Sequence, residues 1–251
     1  MNLKGNTVLI TGGSMGIGLE LAKEFLNLGN EVIICGRRKD RLEEVVKKNP
    51  DLKIIVCDVS NQKSRKELFD WTCSNFKNLN ILINNAGVQR DIDFTNGIDE
   101  YLSGDNEILI NFEAPVVLSG LFIPFLKDKK NSAIVNITSG LGFVPSAKMP
   151  VYGATKAGLH AFSMALRYQL SKTNIKIFEA IPPALETELN KEGRAKRGQF
   201  SFEFSVPGFI STLMDALQND IYEIGYGYSE KFRTASREEL DKSFQVMNSK
   251  M

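Results

Sequence analysis

The feature that most constrains the fold is a glycine-rich turn between a strand pattern and a helix pattern near the N-terminus. The β-branched run at residues 7–11 leads directly into TGGSMGIG, residues 11–18, after which a helical period begins. Gly12 permits a tight turn, while Gly16 and Gly18 let the backbone approach a pyrophosphate and let the helix pack on the sheet. No Gly-Lys-Ser/Thr follows the turn, which excludes a P-loop. The turn predicts a dinucleotide site formed by Gly12, Ser14, Met15, Gly16, Ile17 and Gly18.

The rest of the chain alternates short β-branched runs with longer stretches of helical period. The predicted strands are residues 7–11, 31–35, 53–57, 81–84, 133–138, 176–181 and 221–224. The predicted helices are residues 17–28, 41–48, 64–76, 106–126, 151–171 and 208–218. Strand–helix alternation without a Pro/Ser-rich linker predicts one α/β domain, residues 1–251, with a Rossmann-type, doubly wound parallel sheet of about seven strands and helices on both faces.

Charge, cysteine content and hydropathy restrict the classes of partner. The 31 basic and 30 acidic residues leave a net charge of +1, which argues against a nucleic-acid-binding surface. Cys35, Cys57 and Cys73 form no CxxC pair, which predicts reduced thiols rather than a disulfide framework. The N-terminus lacks the apolar core of a signal peptide, and no apolar stretch approaches membrane-spanning length. We therefore expect a cytoplasmic protein that binds neither nucleic acid nor membrane.

The end of the second predicted strand bears on cofactor choice. A fold that binds NAD usually has an acidic residue here, which bonds the ribose 2′-hydroxyl. This chain has Arg37 and Arg38 instead, and guanidinium groups match phosphate oxygens. The pattern favours NADP(H), with Arg37 the better placed of the two arginines. NAD(H) is the alternative cofactor, and a solvated basic turn is the other interpretation of the arginines. Further along the expected ligand edge, the candidate contacts are Asp58, Val59, Asn85, Ala86 and Gly87. Either segment taken alone is more often an ordinary turn.

A serine, a tyrosine and a lysine suggest the chemistry. Ser139 follows the fifth predicted strand, and Tyr152 and Lys156 lie one helical turn apart in VYGATK. A carbonyl reduced by hydride must gain a proton, and lowering a phenol pKa from about 10 to about 7 needs roughly 4 kcal/mol. An ammonium about 4–5 Å away supplies roughly 3–4 kcal/mol at an effective dielectric near 20. Lys156 is therefore expected to lower the pKa of Tyr152, with Ser139 polarising the substrate oxygen. An isolated YxxxK is more often an exposed tyrosine and a solvated lysine.

With these motifs in this order, nearly the whole chain resembles the short-chain dehydrogenase/reductase family. Within that family, its sequence is similar to the DltE-like bacterial oxidoreductases. TGGSMGIG, NNAG, the Asn111 segment, Ser139 and YGATK all carry the resemblance. It implies a catalytic tetrad of Asn111, Ser139, Tyr152 and Lys156, a nicotinamide cofactor, and a small carbonyl or secondary alcohol as substrate. It also implies that Tyr152 and Lys156 contact the cofactor, together with Pro182, Leu185 and Thr187. The alternative function is a sensor of nicotinamide redox state without turnover, which would not need to keep all of Ser139, Tyr152 and Lys156.

Asn111 is four residues before Pro115, which has no N–H. The Asn111 carbonyl is therefore freed, and we interpret it as holding a water in a proton relay to Lys156, a water that the family's mechanism implies. A proline that only kinks a buried helix is the alternative.

The chain departs from the family pattern at two places. Pro183 stands where the family usually has glycine, which predicts a stiffer entrance to the nicotinamide lid. Met15 stands where many members have arginine, which weakens the argument for NADP(H).

The segment 188–206 is the expected substrate loop. Its cations, Lys191, Arg194, Lys196 and Arg197, belong either to a solvated lid or to a site for an anionic substrate.

The sequence also predicts self-association and no metal site. Apolar positions on more than one face of helices 106–126 and 151–171 include Phe122, Phe125, Phe162 and Met164. The family resemblance implies a homodimer or homotetramer formed by this helix pair. His160 is the sole histidine, and no second histidine or cysteine lies near it in the sequence, so we expect no metal ligand there.

Overall fold

The computed structural model describes residues 1–249 and contains a seven-stranded sheet between two layers of helices. The strands are β1 (Thr7–Thr11), β2 (Glu31–Gly36), β3 (Lys53–Val56), β4 (Leu79–Asn84), β5 (Ala133–Ile137), β6 (Lys176–Ile181) and β7 (Glu223–Gly225). The helices are α1 (Gly16–Asn27), α2 (Lys39–Lys48), α3 (Gln62–Asn75), α4 (Asp99–Leu102), α5 (Ala114–Leu126), α6 (Pro150–Gln169), α7 (Lys191–Lys196), α8 (Val206–Gln218), α9 (Tyr228–Thr234) and α10 (Arg237–Asn248).

The sheet is parallel throughout, in the order β3-β2-β1-β4-β5-β6-β7. The chain winds outward from β1 in one direction and from β4 in the other, so the strand order reverses between β1 and β4. Ligands of such sheets bind beyond the carboxyl ends of the strands at this switch point. The predicted fold class, a doubly wound parallel sheet of about seven strands, is confirmed.

Two apolar layers hold the helices against the sheet. On one face, Phe25 of α1 and Phe209 and Leu213 of α8 are fully buried against the strands. On the other face, Leu118 and Phe122 are buried with side chains of α3 and α6. Because β1, β4 and β5 are buried along their whole length, both faces of the central strands are covered, as the continuous apolar runs predicted.

The expectation that no apolar stretch approaches membrane-spanning length was wrong. The helix Leu109–Leu126 is 18 residues long with a mean hydropathy of 1.7, which is enough by length and composition alone to cross a bilayer. Phe122, expected on an outer face, is fully buried and contacts Phe69 edge-on at 5.0 Å between ring centroids. One face of this helix is buried against the sheet, while Val116, Val117 and Leu121 on its other side are only partly buried, so apolar residues on two faces account for its hydropathy.

Two C-terminal helices, α9 and α10, were not predicted. Helix α10 has no buried residue among residues 237–248, so it lacks the apolar period that identifies a core helix. Its N-terminus does have a capping box, in which Ser236 and Glu239 bond each other's backbone N–H groups. That Ser-x-x-Glu pattern was the sequence signal for this helix.

Candidate active site

A cleft of about 740 Å³ crosses the carboxyl ends of the strands. Its lining includes most of the residues that the sequence singled out for cofactor and substrate. These are Gly12, Ser14, Met15, Gly16, Ile17, Arg37, Arg38, Asp58, Val59, Asn85, Ala86, Gly87, Ser139, Tyr152, Lys156, Pro182, Leu185 and Thr187. The volume is within the range of about 300–1,000 Å³ that is usual for small-molecule sites.

The glycine turn has the shape of a phosphate cradle. Gly12 and Gly16 adopt positive φ values of 67° and 54°, and a Cβ on Gly12 would lie 2.8 Å from the Cα of Ala86. Met15, the residue before α1, makes no side-chain cap, so the first N–H groups of the helix face the cleft without an internal side-chain acceptor. Free N–H groups at a helix N-terminus bind anions. The turn therefore fits the pyrophosphate of a dinucleotide.

Gly18 does not line the cleft, contrary to its expected contact with the cofactor. A Cβ there would lie 2.4 Å from the Nδ2 of Asn85 and 2.5 Å from the carbonyl oxygen of Gly12. The Asn85 amide in turn donates to the carbonyls of Thr11 and Gly12. Gly18 thus lets α1 pack against the turn, and the Asn85 side chain ties the turns after β1 and β4 together.

Two arginines lie at the end of β2, each with a protein partner. Both terminal nitrogens of Arg37 donate to the carboxylate of Asp105, at 2.6 and 2.5 Å. The Arg38 guanidinium lies 3.2 Å from the sulfur of Met15. Arg37 and Asp105 are both about half exposed, and both line the cleft beside Asp58 and Val59. The sequence identified the arginines but not the acid opposite them.

Ser139, Tyr152 and Lys156 meet at the middle of the cleft, and all three are at least nine-tenths buried. The Ser139 hydroxyl accepts from the N–H of Leu141 at 3.2 Å, which fixes the start of the loop after β5. Tyr152 is in the first turn of α6, and the Nζ of Lys156 lies 5.7 Å from the centroid of its ring. The Lys156 ammonium donates to the carbonyl of Ile137 at 2.7 Å.

The pKa values of the pair differ from the expectation that Lys156 lowers the pKa of Tyr152. Burial raises the pKa of Tyr152 to about 12, partly offset by the hydroxyl of Ser139. Burial also lowers the pKa of Lys156 to about 8. The ammonium bonds a backbone carbonyl and does not contact the phenol oxygen, so desolvation dominates both groups. At neutral pH the phenol is protonated, as an acid must be.

Asn111 lies behind the cleft rather than in its lining. It is fully buried, and its side chain accepts from the N–H of Val88 and donates to the Val88 carbonyl and the Thr155 hydroxyl. The backbone around it forms a π-helical turn, Leu109–Glu113, with Ala114 N–H donating to Leu109. Asn111 thus holds the loop after β4 against α6, and the water relay at its carbonyl stays a prediction.

Glu107, one turn before Asn111, was missed by the sequence reasoning. It is fully buried, its Oε1 accepts from the N–H of Arg90 at 3.1 Å, and its Oε2 has no protein partner. Burial raises the pKa of Glu107 to about 7, and its charge raises the pKa of Tyr152 further. Its residue type and position gave no signal, because burial of a single glutamate depends on the path of the neighbouring loop.

The segment after β6 closes over the cleft and is held by specific contacts. Asp91 accepts from the side chains of Asn190, at 2.8 Å, and Arg197. Arg194 donates to the carbonyl of Thr187 and its guanidinium lies over the ring of Phe202. Two of the four cations of the predicted substrate loop are therefore engaged within the protein.

The C-terminal helix completes the cleft, a contribution that sequence reasoning missed. Met247 and Asn248 both line it. The Asn248 side chain accepts from the N–H of Ala147 at 2.7 Å and donates to the carbonyl of Pro145 at 3.2 Å. These bonds attach α10 to the loop between Ser139 and Tyr152. Among residues 1–249, no group of three or more His, Cys, Asp or Glu side chains is arranged to hold a metal ion.

Comparison with known proteins gives the family. A profile of the family described as short chain dehydrogenase matches residues 6–198. The chain is 46% identical over 248 residues to a Bacillus subtilis (strain 168) protein named uncharacterized oxidoreductase DltE, covering 99% of this chain and 98% of the relative. A short-chain dehydrogenase from Sphingobium yanoikuyae, solved in complex with NADPH, has a TM-score of 0.77 at 26% identity, over 98% and 96% of the two chains.

The fold is also that of a short chain dehydrogenase/reductase from Burkholderia phymatum solved with NAD, at a TM-score of 0.84 and 18% identity, over 98% and 96% of the chains. The predicted resemblance to the DltE-like oxidoreductases is confirmed by the near-complete match to the Bacillus relative. The chain belongs to the short-chain dehydrogenase/reductase family and is an oxidoreductase that acts on CH–OH or C=O groups.

Proposed function

We propose that the protein is an NADP(H)-dependent oxidoreductase that interconverts a carbonyl and a secondary alcohol, with Tyr152 as general acid/base. The observation that carries the proposal is the buried group of Ser139, Tyr152 and Lys156 in the same cleft as the glycine turn. The bound nicotinamide supplies or accepts the hydride.

In the reductive direction, each member of the group has a separate task. Ser139 donates a hydrogen bond to the substrate oxygen and holds it beside the phenol. Tyr152, protonated because burial raises its pKa to about 12, gives its proton to that oxygen as negative charge develops. Lys156 is still mainly charged at neutral pH, with a pKa of about 8. Its ammonium lies 5.7 Å from the centroid of the Tyr152 ring, from where it would stabilise the phenolate through charge alone, and it would also bond the ribose of a bound cofactor. In the oxidative direction the same phenol oxygen takes the proton from the alcohol, so Tyr152 serves as acid in one direction and base in the other.

The test is Tyr152→Phe, which keeps the ring and removes only the hydroxyl. Loss of the proton donor is expected to lower turnover about 10²–10⁴-fold, while NADPH affinity stays nearly unchanged. Lys156→Ala is the companion variant, and it is expected to weaken both turnover and cofactor binding because one ammonium serves both. The assay follows NADPH absorbance against a panel of carbonyl compounds. Undiminished activity of Tyr152→Phe would refute the assignment.

The preference for NADP(H) over NAD(H) rests on Arg37 and Arg38. A charged hydrogen bond to phosphate contributes about 1.5–3 kcal/mol, a ten- to hundredfold change in affinity. Because Arg37 is half exposed, we expect Arg37→Ala to weaken NADPH about tenfold, at the lower end of that range. NADH, which lacks the 2′-phosphate, should barely change. Equal weakening of both cofactors would mean that Arg37 only shapes the turn.

The segment 188–206 is proposed as the substrate lid. The engagement of Arg194 and Arg197 within the protein supports the interpretation as a lid more than an anionic-substrate site. We expect the lid to close over a neutral carbonyl compound.

We also propose that the protein is a cytoplasmic homodimer or homotetramer, bound to neither membrane nor nucleic acid. Met164 and Tyr168 on α6, and Ile108 just before the other long helix, are exposed, and such a surface suits self-association. Met164→Arg should lower the mass in sedimentation, whereas Val246→Arg, at an apolar position on α10 that is more exposed than Met164, should not. A monomeric wild type at micromolar concentration would contradict the proposal.

A further inference from the structure

Asp105 faces the adenosine end of the cleft, the part beyond β2 and β3. It lies 68 residues after Arg37 in the chain, and its two carboxylate oxygens accept one bond each from the two terminal nitrogens of Arg37. Both side chains line the cleft, as do Asp58, Val59 and Ile110. The guanidinium that suits a ribose 2′-phosphate therefore already has an anionic partner within the site.

The position of Asp105 is fixed by its neighbours. Its carbonyl accepts from the Nη1 of Arg90 at 3.3 Å, and a Cβ on Gly104 would lie 2.6 Å from the Arg90 guanidinium carbon. The next residue, Asn106, accepts from the N–H of Leu109 at 3.1 Å and starts the following helix. Because the backbone is held on both sides, the carboxylate is presented to Arg37 rather than carried on a free loop.

The charges around this pair favour one kind of ribose. Arg37 holds the pKa of Asp105 below its usual range, so the carboxylate is ionised at neutral pH. A 2′-phosphate at Arg37 must either displace this carboxylate or share the guanidinium with it. In both cases the phosphate is repelled by the negative charges of Asp105 and of nearby Asp58. A neutral 2′-hydroxyl meets no such repulsion.

We propose that Asp105 is a specificity-determining residue. Its carboxylate competes with the 2′-phosphate of NADP(H) for Arg37, and it thereby reduces the preference of the site for NADP(H) over NAD(H). The inference rests on the proposed cofactor class. It assigns opposite effects to the two ends of one ion pair: Arg37 attracts the phosphate and Asp105 opposes it.

The experiment measures dissociation constants of NADPH and NADH by calorimetry for the wild type, Asp105→Asn and Asp99→Asn. Asp99 begins α4, six residues away, and none of its bonds reaches Arg37, so its variant matches the change in net charge. Exposed ion pairs are weak, so Asp105→Asn is expected to tighten NADPH about fivefold. NADH should change by less than about twofold, the usual scale for a surface substitution. Asp99→Asn should alter neither, and thermal melts of both variants check that the fold is kept.

The possible outcomes separate the inference from the proposed function. Equal weakening of both cofactors by Asp105→Asn would show that Asp105 shapes the cleft, and selective weakening of NADH would show that it binds the ribose hydroxyl; either result overturns the inference alone. Wild type that binds both dinucleotides, with no selective gain in Asp105→Asn, also overturns the inference alone. Wild type that binds neither dinucleotide overturns the proposed function, and the inference with it.

Discussion

The sole histidine, His160, forms a buried ion pair whose removal has a predictable, pH-dependent cost. Its Nδ1 lies 2.8 Å from the Oε2 of Glu179, which is fully buried on β6. The other oxygen of Glu179 accepts from the hydroxyl of Thr138 at 2.8 Å. Thr138 directly precedes Ser139 in the chain, so this network supports the back of the candidate active site. His160→Leu removes one of the two donors to Glu179.

The structure sets the size of the effect. A hydrogen bond to a charged group contributes about 1.5–3 kcal/mol. Loss of one partner leaves the other charge buried and unpaired, so the cost is at the upper end of that range. The imidazole is 22% exposed and the carboxylate 0%, so solvent screens the interaction little. We therefore expect His160→Leu to lower the free energy of unfolding by about 2–3 kcal/mol near pH 6.

The pKa of His160 gives the direction with pH. The hydrogen bond to Glu179 raises the pKa of His160 above the ordinary value of 6.5, although burial opposes it, with the charges of Glu223 and Arg167 also acting. The folded protein thus binds the proton more tightly than the unfolded chain. The charge-dependent stability is fully present below about pH 6.5 and is lost as the pH rises through the folded pKa. Above it, the neutral imidazole keeps a bond of about 1 kcal/mol.

The assay is urea unfolding of the wild type and His160→Leu at about pH 6 and about pH 9, on either side of the His160 titration, at one protein concentration. The difference between the two proteins should shrink at the higher pH. Glu107 and Lys156 also titrate in this range, but they are common to both proteins and cancel in the difference. Thr138→Val, which removes the neutral donor, should cost stability equally at both pH values. A difference for His160→Leu that is constant with pH would refute the reasoning.

Three further predictions concern Gly18, Glu107 and Asn248. Gly18→Ala should destabilise by about 1–3 kcal/mol, because its Cβ meets Asn85 and the Gly12 carbonyl, whereas Gly120→Ala, with nothing within 4 Å, should stabilise slightly; equal thermal shifts would contradict this. Wild type should lose stability as the pH rises from 4.5 to about 7, because Glu107 must then ionise while buried. In Glu107→Gln this pH-dependent loss should be absent from urea titrations, and an unchanged pH profile would argue against a buried acid. Asn248→Ala should raise protease cleavage after α9, because α10 loses both bonds to the loop at Pro145 and Ala147; unchanged cleavage would show that other contacts hold α10.

The sheet was predictable because buried parallel strands require continuous apolar runs. β1 and β5 have such runs and begin where predicted. β4 begins two residues before the predicted start, since Asn80 interrupts the apolar run while its side chain accepts from the N–H of Thr7. β7 begins two residues later than predicted, at Glu223, because Ile221 and Tyr222 are exposed and apolar type alone suggested the strand.

The site was predictable where topology alone brings residues together. The carboxyl ends of parallel strands meet at one edge, so the turns after β1, β2 and β4 had to converge with Ser139. The partners that were missed come from irregular segments. Asp105 lines the cleft and lies 68 residues from Arg37, and Asp91, which bonds the cleft residue Arg197, lies 106 residues from it. No period or spacing links such pairs, since their approach depends on the path of a loop.

The pKa of Tyr152 could not be predicted from the sequence, because it depends on the direction of the Lys156 side chain and on burial. The spacing of Tyr152 and Lys156 places both residues on one face of a helix, but it does not determine where the long lysine side chain points. The ammonium lies 5.7 Å from the ring centroid and donates to Ile137, and the rise of the phenol pKa to about 12 favours the protonated form by roughly 3 kcal/mol. A carbonyl oxygen and the low-dielectric interior together decide the balance, because the carbonyl holds the lysine and burial penalises the phenolate. The same burial that makes Tyr152 a poor base keeps its proton available for transfer.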